Sequence, residues 1–333
     1  MRIKKKPLII TLSAVAALTA AAILSLTVSP VPAALLLRKL FENPTLAPPN
    51  GYAAMEETVT AHLDLDYPSA YADHTLDLYL PETADGNLPV VLWVHGGGYV
   101  GGDKSDVRYY ATALASNGYA VISMNYQRAP EAKYPVPIVQ IGEVVRWMVS
   151  AAERYSLDPN RLVLAGDSAG AHSAATFSLI QTNPDYAEKS GFTATLPADA
   201  LKGLLLYCGP YDVPLIDEIP GIFGFMLARA GWAYFGARDW AAQYGEIATV
   251  RHHVTTQYPP TFITDSGSNS FEIQGKALAD TLERAAVPVT RYFMPADTEK
   301  TTHEYQFLMN TPAGAECYRL TLQFLAAYMH AGA

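Results

Sequence analysis

The sequence predicts an α/β domain: a mostly parallel eight-stranded sheet with helices on both faces and a small cap. Three observations lead there. From residue 90 onward, short uncharged apolar runs alternate with longer helical stretches, the pattern of a parallel sheet. Two earlier segments, 58–65 and 74–80, alternate apolar and polar residues and read as an antiparallel pair. A glycine-framed serine, Gly166-Asp167-Ser168-Ala169-Gly170, stands between one apolar run and the next helical stretch.

The remaining strands are expected at 90–94, 119–124, 162–165, 204–207, 261–264 and 289–293, with helices near 106–116, 138–155, from 169, 271–286 and 315–330. A less regular, aromatic region at 213–254 interrupts the alternation and reads as the cap. The main α/β domain is therefore expected over 59–333, with 34–58 as a linker or cap segment. In a parallel sheet the site lies at the carboxyl ends of the strands.

Composition narrows the function. Half of the 333 residues are apolar and 17% are charged, enough for a large core. The net charge of −9 argues against a nucleic-acid partner, whose phosphates need Lys and Arg. The two cysteines, Cys208 and Cys317, define no disulfide framework; Cys208 lies in an apolar run and reads as a buried thiol. No Cys/His spacing resembles a zinc site, so no metal is expected. The adjacent His252 and His253 read as structural or solvent-exposed.

The first 33 residues read as a membrane anchor or signal segment. Arg2, Lys4, Lys5 and Lys6 precede an uncharged run from Leu8 to Val28. Twenty-one helical residues would span about 31 Å, the thickness of a bilayer core. The basic flank keeps the N-terminus cytoplasmic and the catalytic domain outside. Val31-Pro32-Ala33 offers a small-residue cleavage site, in which case the protein is secreted. The stretch 34–41 is expected on the membrane surface or packed on the catalytic domain.

Three motifs carry chemistry, each at a strand end. Gly166 and Gly170 give Ser168 the room that a nucleophile elbow requires, at a helix N-terminus where the dipole favours negative charge. His95-Gly96-Gly97-Gly98 brings bare backbone close to a substrate, as an oxyanion hole requires, and Ala169 after the serine should add a donor. His303 follows the last strand, where the chain order Ser…acid…His puts the base.

Together HGGGYVGGDK (95–104), NYQRAPEAKYPVP (125–137) and GDSAG (166–170) resemble the hormone-sensitive lipase branch of the α/β-hydrolases, from about residue 60 to the end. The resemblance implies an ester hydrolase without a cofactor, with Gly97 and Gly98 as oxyanion donors beside Ala169. The sequence departs from that branch at the acid: counted from Pro259-Pro260, the usual position holds Asn269. An amide cannot balance an imidazolium as a carboxylate does. Asp265 at the strand end is the expected acid. Glu272, just inside the next helix with Ser270 as its N-cap, is the alternative, and Asp212 stands behind them.

The leading expectation is a carboxylesterase for short-to-medium acyl esters, with the aromatic residues of 213–254 shaping the acyl pocket. A polysaccharide deacetylase or feruloyl-type esterase, with a carbohydrate ester as substrate, is the alternative. A non-catalytic binding protein on a hydrolase scaffold is a third reading. The sequence sets neither the physiological ester nor the oligomeric state.

Overall fold

The computed structural model describes residues 24–83, 86–197, 199–217, 219, 221–294 and 301–329. Eight strands form one sheet: β1 (Val59–Asp66), β2 (Thr75–Pro81), β3 (Leu88–Val94), β4 (Ala120–Met124), β5 (Leu157–Asp167), β6 (Leu201–Tyr207), β7 (Thr261–Asp265) and β8 (Val289–Phe293). Their spatial order is β1-β2-β4-β3-β5-β6-β7-β8. The β1–β2 and β2–β4 pairs are antiparallel and the other five are parallel. This is the predicted architecture, strand for strand.

The uncharged runs are strands because helices cover both faces, leaving their interior no polar side. Every residue of β3 and β4 is buried. Val90, Leu92 and Val94 join the core under the helices Val136–Tyr155 and Ala169–Thr182. Val91 and Trp93 point the other way, into the core under Arg108–Ala115 and Pro312–Met329. β1 departs from the expected alternation. It is a half-exposed edge strand with an irregularity between His62 and Leu65, where Asp64 takes a left-handed φ of 54° and its N–H bonds Asp77.

The region 213–254 is more regular than its sequence implies. It folds into helices Val213–Asp217, Gly221–Phe235 and Trp240–Ala248. These bury Ala230, Ala233, Tyr234, Phe235 and Trp240 in a third, smaller core. A helix at Val31–Leu40 packs against Gly221–Phe235 and contributes Ala34 and Leu37 to that core. The stretch 34–41 thus packs on the catalytic domain. Most of the anchor or signal reading falls on residues 1–23, outside the described residues. Among the described residues no helix is long and apolar enough to cross a membrane.

Candidate active site

The sharp turn at Ser168 joins β5 to the helix Ala169–Thr182. Ser168 adopts φ 49° and ψ −120°, a conformation that L-residues rarely accept. Its N–H donates to the Tyr207 carbonyl at 2.8 Å, which fixes the turn to β6. A side chain at Gly170 would put its Cβ 2.0 Å from the Val94 carbonyl oxygen, so the helix can approach β3 only with glycine there. The result is a serine nearly buried, 7% exposed, with its hydroxyl at a helix N-terminus.

His303 lies between β8 and the last helix. Its Nε2 is 2.9 Å from Ser168 Oγ. Phe271 and Phe223 set their rings at 5.5 and 6.4 Å from the imidazole. Burial in this apolar setting disfavours the cation and lowers its pKa to about 4. The resting imidazole is therefore neutral and able to accept the serine proton.

The carboxylate partner is reached indirectly. His303 Nδ1 lies 2.7 Å from Ser270 Oγ, and Ser270 Oγ donates in turn to Asp265 Oδ1. Asp265 also accepts the Ser266 N–H at 2.7 Å. Burial pushes its carboxyl up to about 7, against the hydrogen bonds from Ser270 and Ser266. Glu272, the alternative acid, instead pairs with Lys276 at 2.7 Å along its own helix. Asp212 is taken by Arg251 at 2.5 Å. Asn269 is exposed, with a left-handed φ of 49°, and makes no hydrogen bond to His303. Ser270 does not cap the following helix: Phe271 occupies that position, and no side chain caps it.

The glycine run wraps beneath the serine. Gly97 has φ +100°, and a Cβ there would lie 2.3 Å from the Gly101 carbonyl oxygen. Among the described residues, the N–H groups of Gly97, Gly98 and Ala169 donate no hydrogen bond within the chain. Preorganised N–H donors beside a serine hydroxyl are what a tetrahedral oxyanion requires.

Residues from the second motif hold this loop. Tyr126 donates to the His95 carbonyl at 3.0 Å and stacks on the His95 ring. Arg128 donates to the Gly102 carbonyl at 2.9 Å, and Asn125 binds both Lys104 N and Asp103. His95 is buried, and that burial lowers its pKa to about 4. It acts as a neutral part of the scaffold.

Three carboxyls on the His303 side were not anticipated. Asp167 accepts Trp93 Nε1 at 2.7 Å and the Gly96 N–H at 2.8 Å. Glu304 Oε1 stands 3.7 Å from His303 Nε2. Burial, and then the neighbouring Asp167 charge, raise the Glu304 pKa well above the usual range. The two N–H donors favour the ionised form of Asp167, which leaves Glu304 the harder of the pair to ionise. Asp106, raised to about 6 by burial, lines the same cleft. The signal for these residues was present, since Asp167 and Glu304 directly flank or precede motif residues, but nothing in the sequence joins them in space.

Two cavities meet at Ser168. The larger, about 320 Å³, is lined by Phe41, Asp106, Gly97, His303, Glu304 and Phe223. The smaller, about 20 Å³, is lined by Tyr99, Ala169, Ile216, Leu227, Ala230 and Trp240. A ring nitrogen of His303, a carboxyl oxygen of Asp265 and the Cys208 thiol lie within 4.8 Å of one another, close enough to share a cation. The Cys208 thiol, however, is buried and held well above its ordinary pKa, first by that burial. Both cysteines are free and buried. His252 and His253 pair with Glu246, away from the serine.

A mostly parallel sheet with a strained serine at a strand–helix turn, a histidine after the last strand and a glycine loop between them is the architecture of an α/β-hydrolase. The family profile described as BD-FAE matches residues 76–271, more than half of the chain, and the chain belongs to that family. The carboxylesterase NlhH of Mycobacterium tuberculosis is 28% identical over 267 residues, 78% of this chain and 80% of that protein. The esterase LipI of the same organism is 28% identical over 222 residues, 64% of this chain and 66% of its own length. The chain thus spans just under two thirds of LipI. Esterase B from Lactobacillus Rhamnosis superposes with a TM-score of 0.73 at 22% identity, over 98% of this chain and 96% of that one. The carboxylesterase EstE1, from a metagenomic library, superposes with a TM-score of 0.67 at 18% identity, over 92% and 99%.

Proposed function

We propose that this protein hydrolyses carboxylic esters of short acyl groups. The observation that carries the reading is the 2.9 Å contact between His303 Nε2 and Ser168 Oγ, made at a strained turn beside three unengaged N–H groups. In this reading Ser168 attacks the ester carbonyl and His303 takes its proton. Gly97, Gly98 and Ala169 hold the oxyanion, and Asp265 is the acid. His303 then returns the proton to the leaving alcohol, and an activated water releases the acid in a second round.

The two cavities divide the substrate. The leaving oxygen must lie within reach of His303, which lines only the larger cavity. The acyl group therefore enters the smaller one. Its 20 Å³ holds little more than one water-sized centre, which favours acetyl and propionyl groups. The relatives named as esterases point the same way for the reaction class.

A carbohydrate or other hydroxyl-bearing alcohol is the second reading, favoured by Asp106, Asp167 and Glu304 on the alcohol side. We also propose, from the sequence, that residues 1–33 anchor the domain at the outer face of a membrane or direct its secretion.

The test is a panel of p-nitrophenyl esters from acetate to palmitate, plus acetylated xylan, with Ser168→Ala as control. The expected kcat/KM is highest at acetate and propionate and drops at least tenfold by octanoate. Turnover of long-chain emulsions without turnover of short esters would overturn the acyl assignment. Folded protein that a fluorophosphonate leaves unlabelled at Ser168 would support a binding role instead.

A further inference from the structure

We propose that Ser270 is a positioning residue that relays the Asp265 carboxylate to His303, so that the acid acts through a hydroxyl rather than by direct contact. The inference rests on the ester-hydrolase reading, and it explains how an acid at Asp265 serves His303 although Asn269, nearer in the loop, offers no carboxylate.

The direction of the hydrogen bonds leaves one arrangement. An ionised carboxylate only accepts, so Ser270 donates its single hydroxyl proton to Asp265. Ser270 Oγ can then meet His303 Nδ1, at 2.7 Å, only as an acceptor, so Nδ1 carries the proton. Nε2 is left with its lone pair toward Ser168 Oγ at 2.9 Å. The chain Ser168 to His303 to Ser270 to Asp265 thus fixes the tautomer that a base needs, which is the task a directly bound carboxylate performs elsewhere. No proton moves along the last two links during the reaction. Ser270 keeps its proton, and the serine-derived proton stays on His303 until it passes to the leaving alcohol.

Local backbone geometry explains why the serine stands there. Asn269 takes φ 49°, a conformation that asparagine tolerates better than most residues, and is exposed at the tip of the Ser/Gly loop. That turn directs the next residue inward, so the position after the usual acid faces the imidazole. Asp265 ends β7 behind it, fully buried, with one carboxyl oxygen on Ser270 and Ser266 and the other without a partner. Among the described residues, the hydroxyl and backbone N–H that bind Asp265 both come from this short loop, with the Cys208 thiol beside the same carboxyl, and no other described carboxylate reaches His303 Nδ1.

The test measures the second-order rate at which a fluorophosphonate labels Ser168, alongside p-nitrophenyl acetate turnover, in wild type and in Ser270→Ala, Ser270→Thr, Asp265→Asn and the Ser270→Ala/Asp265→Asn double variant. Phosphonylation needs the base but no knowledge of the natural substrate. Ser270→Ala and Asp265→Asn should each lower the rate about 100-fold, with KM for the ester changed less than threefold. Ser270→Thr, which keeps the hydroxyl, should recover to within about tenfold of wild type. The double variant should be no worse than either single one, because both remove the same chain. A Ser270→Ala rate within threefold of wild type overturns the relay. So does a double variant whose loss is the product of the single losses, about 10,000-fold. Labelling of wild type without turnover of any ester would sink the functional reading and leave the relay test intact. A folded wild type that is not labelled at all would overturn both.

Discussion

Asp265 sits at the end of a strand with its carboxyl raised by burial to about 7, while burial holds His303 near 4. At pH 5 to 7 the imidazole is therefore already neutral, and the carboxyl is the group that titrates. We expect kcat/KM to rise with pH to a plateau above about pH 8, with its acid limb near 7. Asp265→Asn should lose both most of the activity and this limb. Glu272→Gln, whose parent carboxylate pairs with Lys276 and adds a small upward push to Asp265 through its charge, should keep near-wild-type turnover with the acid limb moved slightly lower. Asp106 gives a stability counterpart. Its folded pKa of about 6 lies above the unfolded value near ~3.9, so the native state binds the extra proton. This group's stabilising contribution is full below about pH 4 and is lost as pH rises through about 6. Asp106→Asn should therefore gain in melting temperature relative to wild type between pH 4 and 8, measured by scanning calorimetry. Ser168 and His303 were legible from the sequence because both follow from chain order. The carboxylate was legible only as a choice, because the Ser270 hydroxyl that stands between Asp265 and His303 leaves no trace in spacing.

At the scale of elements, the eight strands could be read directly, since a strand covered on both faces must be apolar throughout. The cap could not. The helix Gly221–Phe235 is apolar except for Arg229, so its sequence shows little face or period, and docking against Val31–Leu40, Val213–Asp217 and Trp240–Ala248 defines one. Leu227 on this helix lines both cavities at the serine. Leu227→Ala should merge them and raise the octanoate-to-acetate ratio of kcat/KM by about tenfold. The turn at Ser168 is less forgiving. Gly170→Ala forces a Cβ against the β3 backbone, so urea unfolding should show a loss of about 3 kcal/mol or more together with lost labelling.

At the scale of the whole molecule, the helix Val31–Leu40 is part of the site's wall. Arg38 donates to the Val100 and Ala129 carbonyls, both at 2.7 Å, and its guanidinium meets Glu131. Phe41 packs on Gly98 and Gly101. Removing residues 1–30 should therefore leave turnover unchanged, whereas removing 1–44 should lower both the melting temperature and kcat/KM for short esters. The same helix constrains maturation. Ala33 and Ala34 are buried in its first turn, whereas a peptidase needs its target extended and open. Were residues 1–33 a cleaved signal, as the second half of our localisation proposal has it, cutting at Val31-Pro32-Ala33 would have to precede docking of the helix. In the folded molecule that stretch is wound into a packed helix, so on that proposal we expect protein that folds uncut to stay uncut.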